Sequence, residues 1–248
     1  MTLEQFFAEN REVAIAFSGG VDSAYLLYAA TRYAARVKAY YVSTAFQPAF
    51  ELADARRLAD ELGADMLVLH VDVLMSGAVV ANPPDRCYHC KNTLFRQILR
   101  AAENDGFPVL LDGTNASDDA GDRPGMRALR ELSVRSPLRE CGLTKAEIRR
   151  LSREAGLFTW DKPAYACLAT RIRTGEEITL QKLKQTEKAE GFLFGLGFRD
   201  FRVRMVGNTA KLELREADLP LLLENREKIV TELRKDYDSV LLNLEVRK

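Results

Sequence analysis

Val13-Ala14-Ile15-Ala16-Phe17-Ser18-Gly19-Gly20-Val21-Asp22-Ser23-Ala24 is the stretch from which the fold can be read. Val13 to Phe17 is an apolar run of strand length, and a glycine pair interrupts it at once. Ser23 to Ala35 then carries a helical pattern. Gly19 and Gly20 permit tight dihedrals and let backbone N–H groups come close to an anion. The helix beginning at Ser23 adds unpaired amides and a positive dipole end, and the Ser18 and Ser23 hydroxyls can donate to phosphate oxygens. Asp22 would repel a bare phosphate, so its presence makes sense with Mg²⁺ between them. No Gly-Lys-Ser/Thr follows, so this is not the Walker-type phosphate loop. The alternative is a tight strand-to-helix turn with no ligand.

Outward from this turn, strand and helix signals alternate. Val37 to Val42 predicts a second strand, Ala49 to Gly63 a helix stopped by glycine, and Met66 to Val71 a third strand. Tyr88 to Glu103 predicts a helix and Val109 to Leu111 a fourth strand. Such alternation implies an α/β fold, a Rossmann-like, doubly wound parallel sheet with helices on both faces. Residues 112 to 142 read as loops with a short helix near Met126 to Leu132, and Thr144 with Glu147 forms a capping box for a helix to Gly156. Beyond an irregular stretch from Trp160 to Arg173 come a helix (Leu180 to Gly195) and a hairpin (Arg202 to Val206, Lys211 to Arg215). A helix (Leu219 to Lys235) and a strand (Val240 to Val246) follow. The boundary falls near 165 to 178, giving a nucleotide domain over 1–170 and a smaller α+β domain over 171–248.

The chain has 248 residues with 36 basic and 36 acidic side chains, hence zero formal net charge. Nucleic-acid binders usually carry a basic excess, so a broad RNA- or DNA-binding surface is not expected. No apolar run nears the ~18 residues of a membrane span. The N-terminal segment, with Glu4, Glu9 and Glu12, lacks the layout of a secretion signal, so a cytoplasmic location is expected. In that compartment the four cysteines read as thiols or metal ligands.

Cys87 and Cys90 lie at the expected start of a helix that Asp85 can cap, and the i, i+3 spacing puts both sulfurs on one face. The helix N-terminus, Arg86 and Lys91 favour thiolates. Cys167 follows a helix-breaking segment of the kind that lines clefts. Three uses compete: a zinc site recruiting Cys141, a [4Fe–4S] cluster on Cys87, Cys90 and Cys167, or thiols without metal. Cys141 reads as a small structural thiol, His70 as a core residue, and His89 as exposed. Trp160 suits packing or base stacking equally.

Ser18 to Ser23 resembles the PP-loop of the N-type ATP pyrophosphatases, which split ATP into AMP and pyrophosphate. Adding Asn82-Pro83-Pro84-Asp85-Arg86-Cys87, Asp112-Gly113-Thr114-Asn115-Ala116-Ser117-Asp118, Arg135-Ser136-Pro137-Leu138 and the Lys162 to Arg171 stretch, the whole chain resembles the LarE family of ATP-dependent sulfur transferases. That family serves lactate racemase maturation. The resemblance implies adenylation of the carboxylates of a pyridinium mononucleotide and their conversion to thiocarboxylates that later grip nickel. Expected partners are therefore the mononucleotide, sulfide or another sulfur donor, and a downstream nickel-insertion protein, with the chain a homo-oligomer. Cys167 matches the sulfur that some members sacrifice, and the trio of Cys87, Cys90 and Cys167 resembles the iron–sulfur type.

The remaining expectations concern single positions. Arg202 and Arg204 project from one strand face as an anion clamp, where the family has an anion site. Arg171 is a candidate substrate contact, and Lys91 could steady a phosphoryl oxygen. Thr44, Gly113, Asn115 and Asp118 follow strand ends, where open α/β sheets bind nucleotides. A tRNA thiolase is the main rival reading, ahead of an ammonia-using synthetase or a non-enzymatic nucleotide module.

Overall fold

A computed structural model of the chain describes residues 1–118 and 124–247. Residues 119–123 of the loop-rich middle, and Lys248 of the expected C-terminal domain, lie outside the described residues. The helices are α1 (Leu3–Glu9), α2 (Val21–Tyr33), α3 (Ala49–Leu62), α4 (Gly77–Val80), α5 (Arg86–Asn104) and α6 (Pro124–Glu131). They continue with α7 (Pro137–Glu140), α8 (Lys145–Glu154), α9 (Leu180–Gly195), α10 (Leu219–Glu224) and α11 (Arg226–Leu233). The strands are β1 (Glu12–Ala16), β2 (Arg36–Ser43), β3 (Asp65–His70), β4 (Val109–Leu111), β5 (Arg202–Val206), β6 (Thr209–Glu213) and β7 (Ser239–Leu242).

Two compact units emerge, Met1–Val73 with Asp85–Lys162, and Leu74–Pro84 with Pro163–Lys248. The chain passes to the second unit after Lys162, a little before the expected boundary, and the second unit also takes in an eleven-residue segment from earlier in the chain.

The first unit is built on a parallel sheet in the order β3-β2-β1-β4. Strand pleating sends Val13 and Ile15 to one face, where they join Leu26, Leu27, Ala39, Tyr41 and Leu58 in a core closed by α1, α2, α3 and α8. Ala14 turns to the other face with Tyr40 and Val42, packing on Ile98 and Ala102 of α5. Covering both faces is what makes the buried strands read as continuous apolar runs. Central β1 has β2 on one side and β4 on the other, so the connections diverge between β1 and β4. The C-terminal ends of those two strands form the switch point where such sheets bind ligands.

Local chemistry sets the element ends. Thr2 and Gln5 form a capping box for α1, which the sequence reading did not include, and Thr144 with Glu147 forms the expected box for α8. Gly63 stops α3 in the left-handed region at φ +60°. β3 is an edge strand, so His70 is exposed rather than a core residue.

In the second unit β5 and β6 form an antiparallel hairpin, and β7 adds parallel to β6. α9 packs on β5, with Phe194 and Phe198 edge-on to Phe201. Asn82 explains why the early segment belongs here: it sits at φ +52°, is buried, and its amide donates to the Arg173 carbonyl at 2.8 Å. Asparagine tolerates this backbone region better than most residues. The expected long helix after Leu219 divides at Asn225, which is buried and turns its side-chain amide back to the Leu221 carbonyl. No described helix is long and apolar enough to cross a membrane.

Candidate active site

The turn from Ser18 to Ser23 leaves the end of β1 and opens α2, which begins at Val21, two residues earlier than expected. Gly19 lies at φ +71°, and a Cβ there would meet the Ala55 Cβ at 3.2 Å. The backbone conformation calls for glycine, and a side chain there would also crowd α3. Gly20 occupies the cap position of α2, where no side chain bonds to the helix amides. The first helical bond runs from Ala24 N–H to the Gly20 carbonyl, so the Val21, Asp22 and Ser23 amides precede it. Ser18 and Ser23 hydroxyls lie 3.0 Å apart, and Ser23 donates to the Gly20 carbonyl at 3.2 Å. A turn braced from within thus offers amides, hydroxyls and a helix dipole at one end of the sheet.

The loop after β4 lies over the same helix end. A Cβ on Gly113 would stand 2.9 Å from Ser23 N, so glycine is required for this approach. Asp112, buried beneath, accepts from Thr114 and Ser136 hydroxyls at 2.5 Å each. Arg135 extends the edge of β4 by pairing with Leu111, which brings Ser136 to Asp112. Asn115 and Asp118 close a turn on themselves: Asn115 N–H donates to Asp118 at 2.8 Å, and Ser117 N–H to Asn115 at 2.8 Å. Thr44 uses its hydroxyl locally, donating to Gln47 at 2.5 Å and accepting from Phe46 N–H at 3.0 Å. That hydroxyl closes the turn after β2.

Two lysines join the phosphate-type turn, and the sequence reading gave neither this role. Lys145 Nζ lies 2.6 Å from Asp22 Oδ2, and Lys162 Nζ reaches Asp54 at 2.7 Å and the Gly19 carbonyl at 3.3 Å. Their distance along the chain, more than 120 residues from the turn, hides them from local motif reading.

Cys87 and Cys90 occupy the first turns of α5, the former exposed and the latter half-buried. Asp85 stands at the cap position without bonding to the helix amides; it faces His89, 3.3 Å away, instead. Arg86 Nη2 lies 3.9 Å from Cys87 Sγ. The Lys91 stem lies along α6, where a Cβ on Gly125 would come within 3.2 Å of it. Cys141 packs against the core, and burial pushes its thiol pKa up, as suits a structural cysteine. None of the four cysteines is in a disulfide. Cysteine sulfurs at a helix start suit iron in kind, while among the described residues no three His, Cys, Asp or Glu side chains are gathered to hold a metal ion.

In the second unit, Cys167 precedes a short 3₁₀ turn that ends at Arg171. Arg171 is fully buried and forks onto Glu190, with Nε–Oε1 at 2.6 Å and Nη2–Oε2 at 3.0 Å. Its Nη1 donates to the Ala166 carbonyl and the Thr170 hydroxyl. The expected substrate contact therefore gives way to a brace for the Cys167 turn. Glu190 also accepts from Tyr165 OH and from Val203 N–H. Arg202 is buried too, donating to the Phe201 and Ala164 carbonyls at 2.6 and 2.7 Å. Burial first, then the Arg171 and Arg247 charges, lower its pKa. Arg204, on the same face of edge strand β5, keeps 40% of its side chain exposed while bonding Glu213 and the Thr170 carbonyl. The expected two-arginine clamp thus presents one arginine, with the other built into the frame.

The asparagine synthase family model matches residues 4–118, which hold both loops over the α2 N-terminus. An uncharacterized protein of Synechocystis is 39% identical over 215 residues, 86% of this chain and 80% of its own. The pyridinium-3,5-bisthiocarboxylic acid mononucleotide synthase of Lactiplantibacillus plantarum is 32% identical over 235 residues, 94% of this chain and 85% of its own. A tRNA-specific 2-thiouridylase of Thermotoga maritima is 26% identical over 188 residues, covering only 59% of this chain and 52% of its own.

Proposed function

The chain belongs to the pyridinium-3,5-bisthiocarboxylic acid mononucleotide synthase family of ATP-dependent, PP-loop sulfurtransferases, and from that premise we propose its substrate and chemistry. The substrate is a pyridinium mononucleotide carrying carboxylates. A carboxylate oxygen attacks the α-phosphorus of ATP, the bond to the β-phosphate breaks, and pyrophosphate leaves. A sulfur nucleophile then attacks the acyl-adenylate, the carbon–oxygen bond to AMP breaks, and a thiocarboxylate remains. Adenylation is needed because a carboxylate is otherwise a poor electrophile, with no acceptable leaving group.

The observation that carries this reading is the glycine-bounded turn Ser18–Ser23, laid against Gly113 at the β1–β4 switch point. In this proposal the amides and hydroxyls of Ser18, Gly19, Gly20 and Ser23 hold phosphate oxygens, and the loop through Gly113, Asn115 and Asp118 borders the nucleotide. Lys91 steadies a phosphoryl oxygen. Asp22 is the carboxylate for Mg²⁺, which when bound would offset the phosphate charge. Arg204 is the open anion contact for the mononucleotide, with Arg171 and Arg202 fixing the segment around it.

For sulfur delivery we propose Cys87, Cys90 and Cys167 as ligands of a [4Fe–4S] cluster. Held by these three sulfurs, such a cluster would supply sulfide as the nucleophile. A second reading has support in the place of Cys167, at the head of the 3₁₀ turn that Arg171 braces. The Cys167 sulfur then attacks the acyl-adenylate and displaces AMP, and loss of the Cα proton with cleavage of the Cβ–S bond leaves dehydroalanine and the thiocarboxylate. A homo-oligomeric state, sulfide or another sulfur donor, a downstream nickel-insertion protein as partner and a cytoplasmic setting complete the proposal.

Anaerobic purification followed by iron, sulfide and mass analysis tests the sulfur chemistry. Brown protein in which Cys87→Ala, Cys90→Ala and Cys167→Ala each lose colour, while Cys141→Ala keeps it, supports the cluster. Colourless protein whose Cys167 becomes dehydroalanine in step with product replaces the cluster with sacrificial transfer.

A further inference from the structure

Asp22 and Lys145 form a pair whose geometry suits exchange rather than permanence. Lys145 Nζ sits 2.6 Å from Asp22 Oδ2, with 34% of the lysine side chain and 23% of the aspartate exposed. Among the described residues nothing donates to Asp22 Oδ1, although that oxygen is buried. Buried carboxylate oxygens normally accept hydrogen bonds, so a lysine satisfying only one of them leaves the carboxylate under-coordinated.

The base of the lysine is fixed while its head is open. Lys145 is the first residue of α8; its N–H donates to Ser117 Oγ at 2.9 Å, and the Thr144–Glu147 box holds the helix start. Its four-carbon stem can swing an ammonium between nearby acceptors. Lys162 differs: its side chain is only 15% exposed and its ammonium is shared between Asp54 and the Gly19 carbonyl. That lysine ties the turn to α3.

We propose that Lys145 is an exchangeable counter-ion. Its ammonium neutralises Asp22 until a divalent cation arriving with nucleotide takes the carboxylate, and it then turns to the phosphates. The inference rests on the nucleotide reading above and adds a residue that couples metal arrival to phosphate binding.

The test is calorimetric binding of α,β-methylene ATP, which is not cleaved, across a Mg²⁺ titration. Lys145→Met keeps the stem and removes the charge. The Mg²⁺ midpoint for nucleotide binding should fall about fivefold, because the competing ammonium is gone. Affinity at saturating Mg²⁺ should fall about tenfold, because a phosphate contact is lost. Lys145→Arg should move the midpoint back toward wild type. A purely structural ion pair would not move the two quantities in these opposed senses. A midpoint that rises or stays fixed in folded Lys145→Met overturns the exchange. Wild-type protein that binds the analogue at no Mg²⁺ concentration overturns the nucleotide reading itself.

Discussion

Around Ser18–Ser23 the first unit keeps the Asp22–Lys145 pair partly open to water. Around Glu190 the second unit seals its charged groups. Arg171 and Glu190 are 0% and 2% exposed, and Glu190 takes further bonds from Tyr165 and Val203. The open pair of the first unit can trade a protein partner for a ligand at small cost, because water already screens it. A sealed pair cannot, since removing one partner strands a charge in a low-dielectric interior. Similar side chains therefore do different work, exchange in one unit and fixation in the other.

The sealed side of this comparison breaks first. Glu190→Ala leaves the Arg171 guanidinium buried without its carboxylate, and should cost about 3–5 kcal/mol in chemical denaturation. A loss under about 1 kcal/mol would mean that Arg171 finds another partner and that the cluster is not fixed.

On the open side, Asp22→Ala should leave the melting temperature near wild type while lowering pyrophosphate release about 10²–10³-fold. Wild-type release rates would remove Asp22 from the chemistry. A collapse in melting temperature would show that Asp22, too, is structural.

Arg204 sharpens the contrast, being the half-open member of the second unit. Arg204→Ala should weaken mononucleotide binding about ten- to a hundredfold, the value of one charge-assisted bond, and change ATP binding little. Equal effects on both ligands would make it a strand-pairing residue with Glu213.

The smallest effect concerns a surface network far from either cluster in role. Bonds from Lys38 and Tyr40 hold the Asp105 carboxyl below its ordinary pKa. A carboxyl lowered in this way adds stability at neutral pH, and that stability is lost as pH falls through the lowered folded value. Denaturation midpoints of Asp105→Asn should therefore fall less steeply with acid than those of wild type.

The legibility of the fold followed the locality of its causes. β1, α3, β4 and α9 are set by apolar runs and glycine stops, and each lies at or within a residue or two of its expected position. α1 was missed because a seven-residue helix offers too little periodicity, although the Thr2–Gln5 box was a usable signal. The Asn225 break and the transfer of 74–84 to the second unit depend on side chains meeting distant carbonyls, as with Asn82 and Arg173. The site divides the same way. Ser18 to Ser23 was readable because one turn carries its own glycines and hydroxyls, and Lys145 was not, because only folding brings it to Asp22. Arg171 and Arg202 looked like ligand contacts because a formal charge says nothing of burial.

The measurement that bears most directly on the account is mass spectrometry of the pyridinium mononucleotide after anaerobic incubation with the protein, ATP, Mg²⁺ and sulfide. AMP and pyrophosphate are quantified in the same sample. The expected product is a mononucleotide in which sulfur has replaced a carboxylate oxygen, with one AMP and one pyrophosphate formed per sulfur inserted. Thiolation of tRNA with an unchanged mononucleotide, or AMP formation with no sulfur in the product, would contradict it.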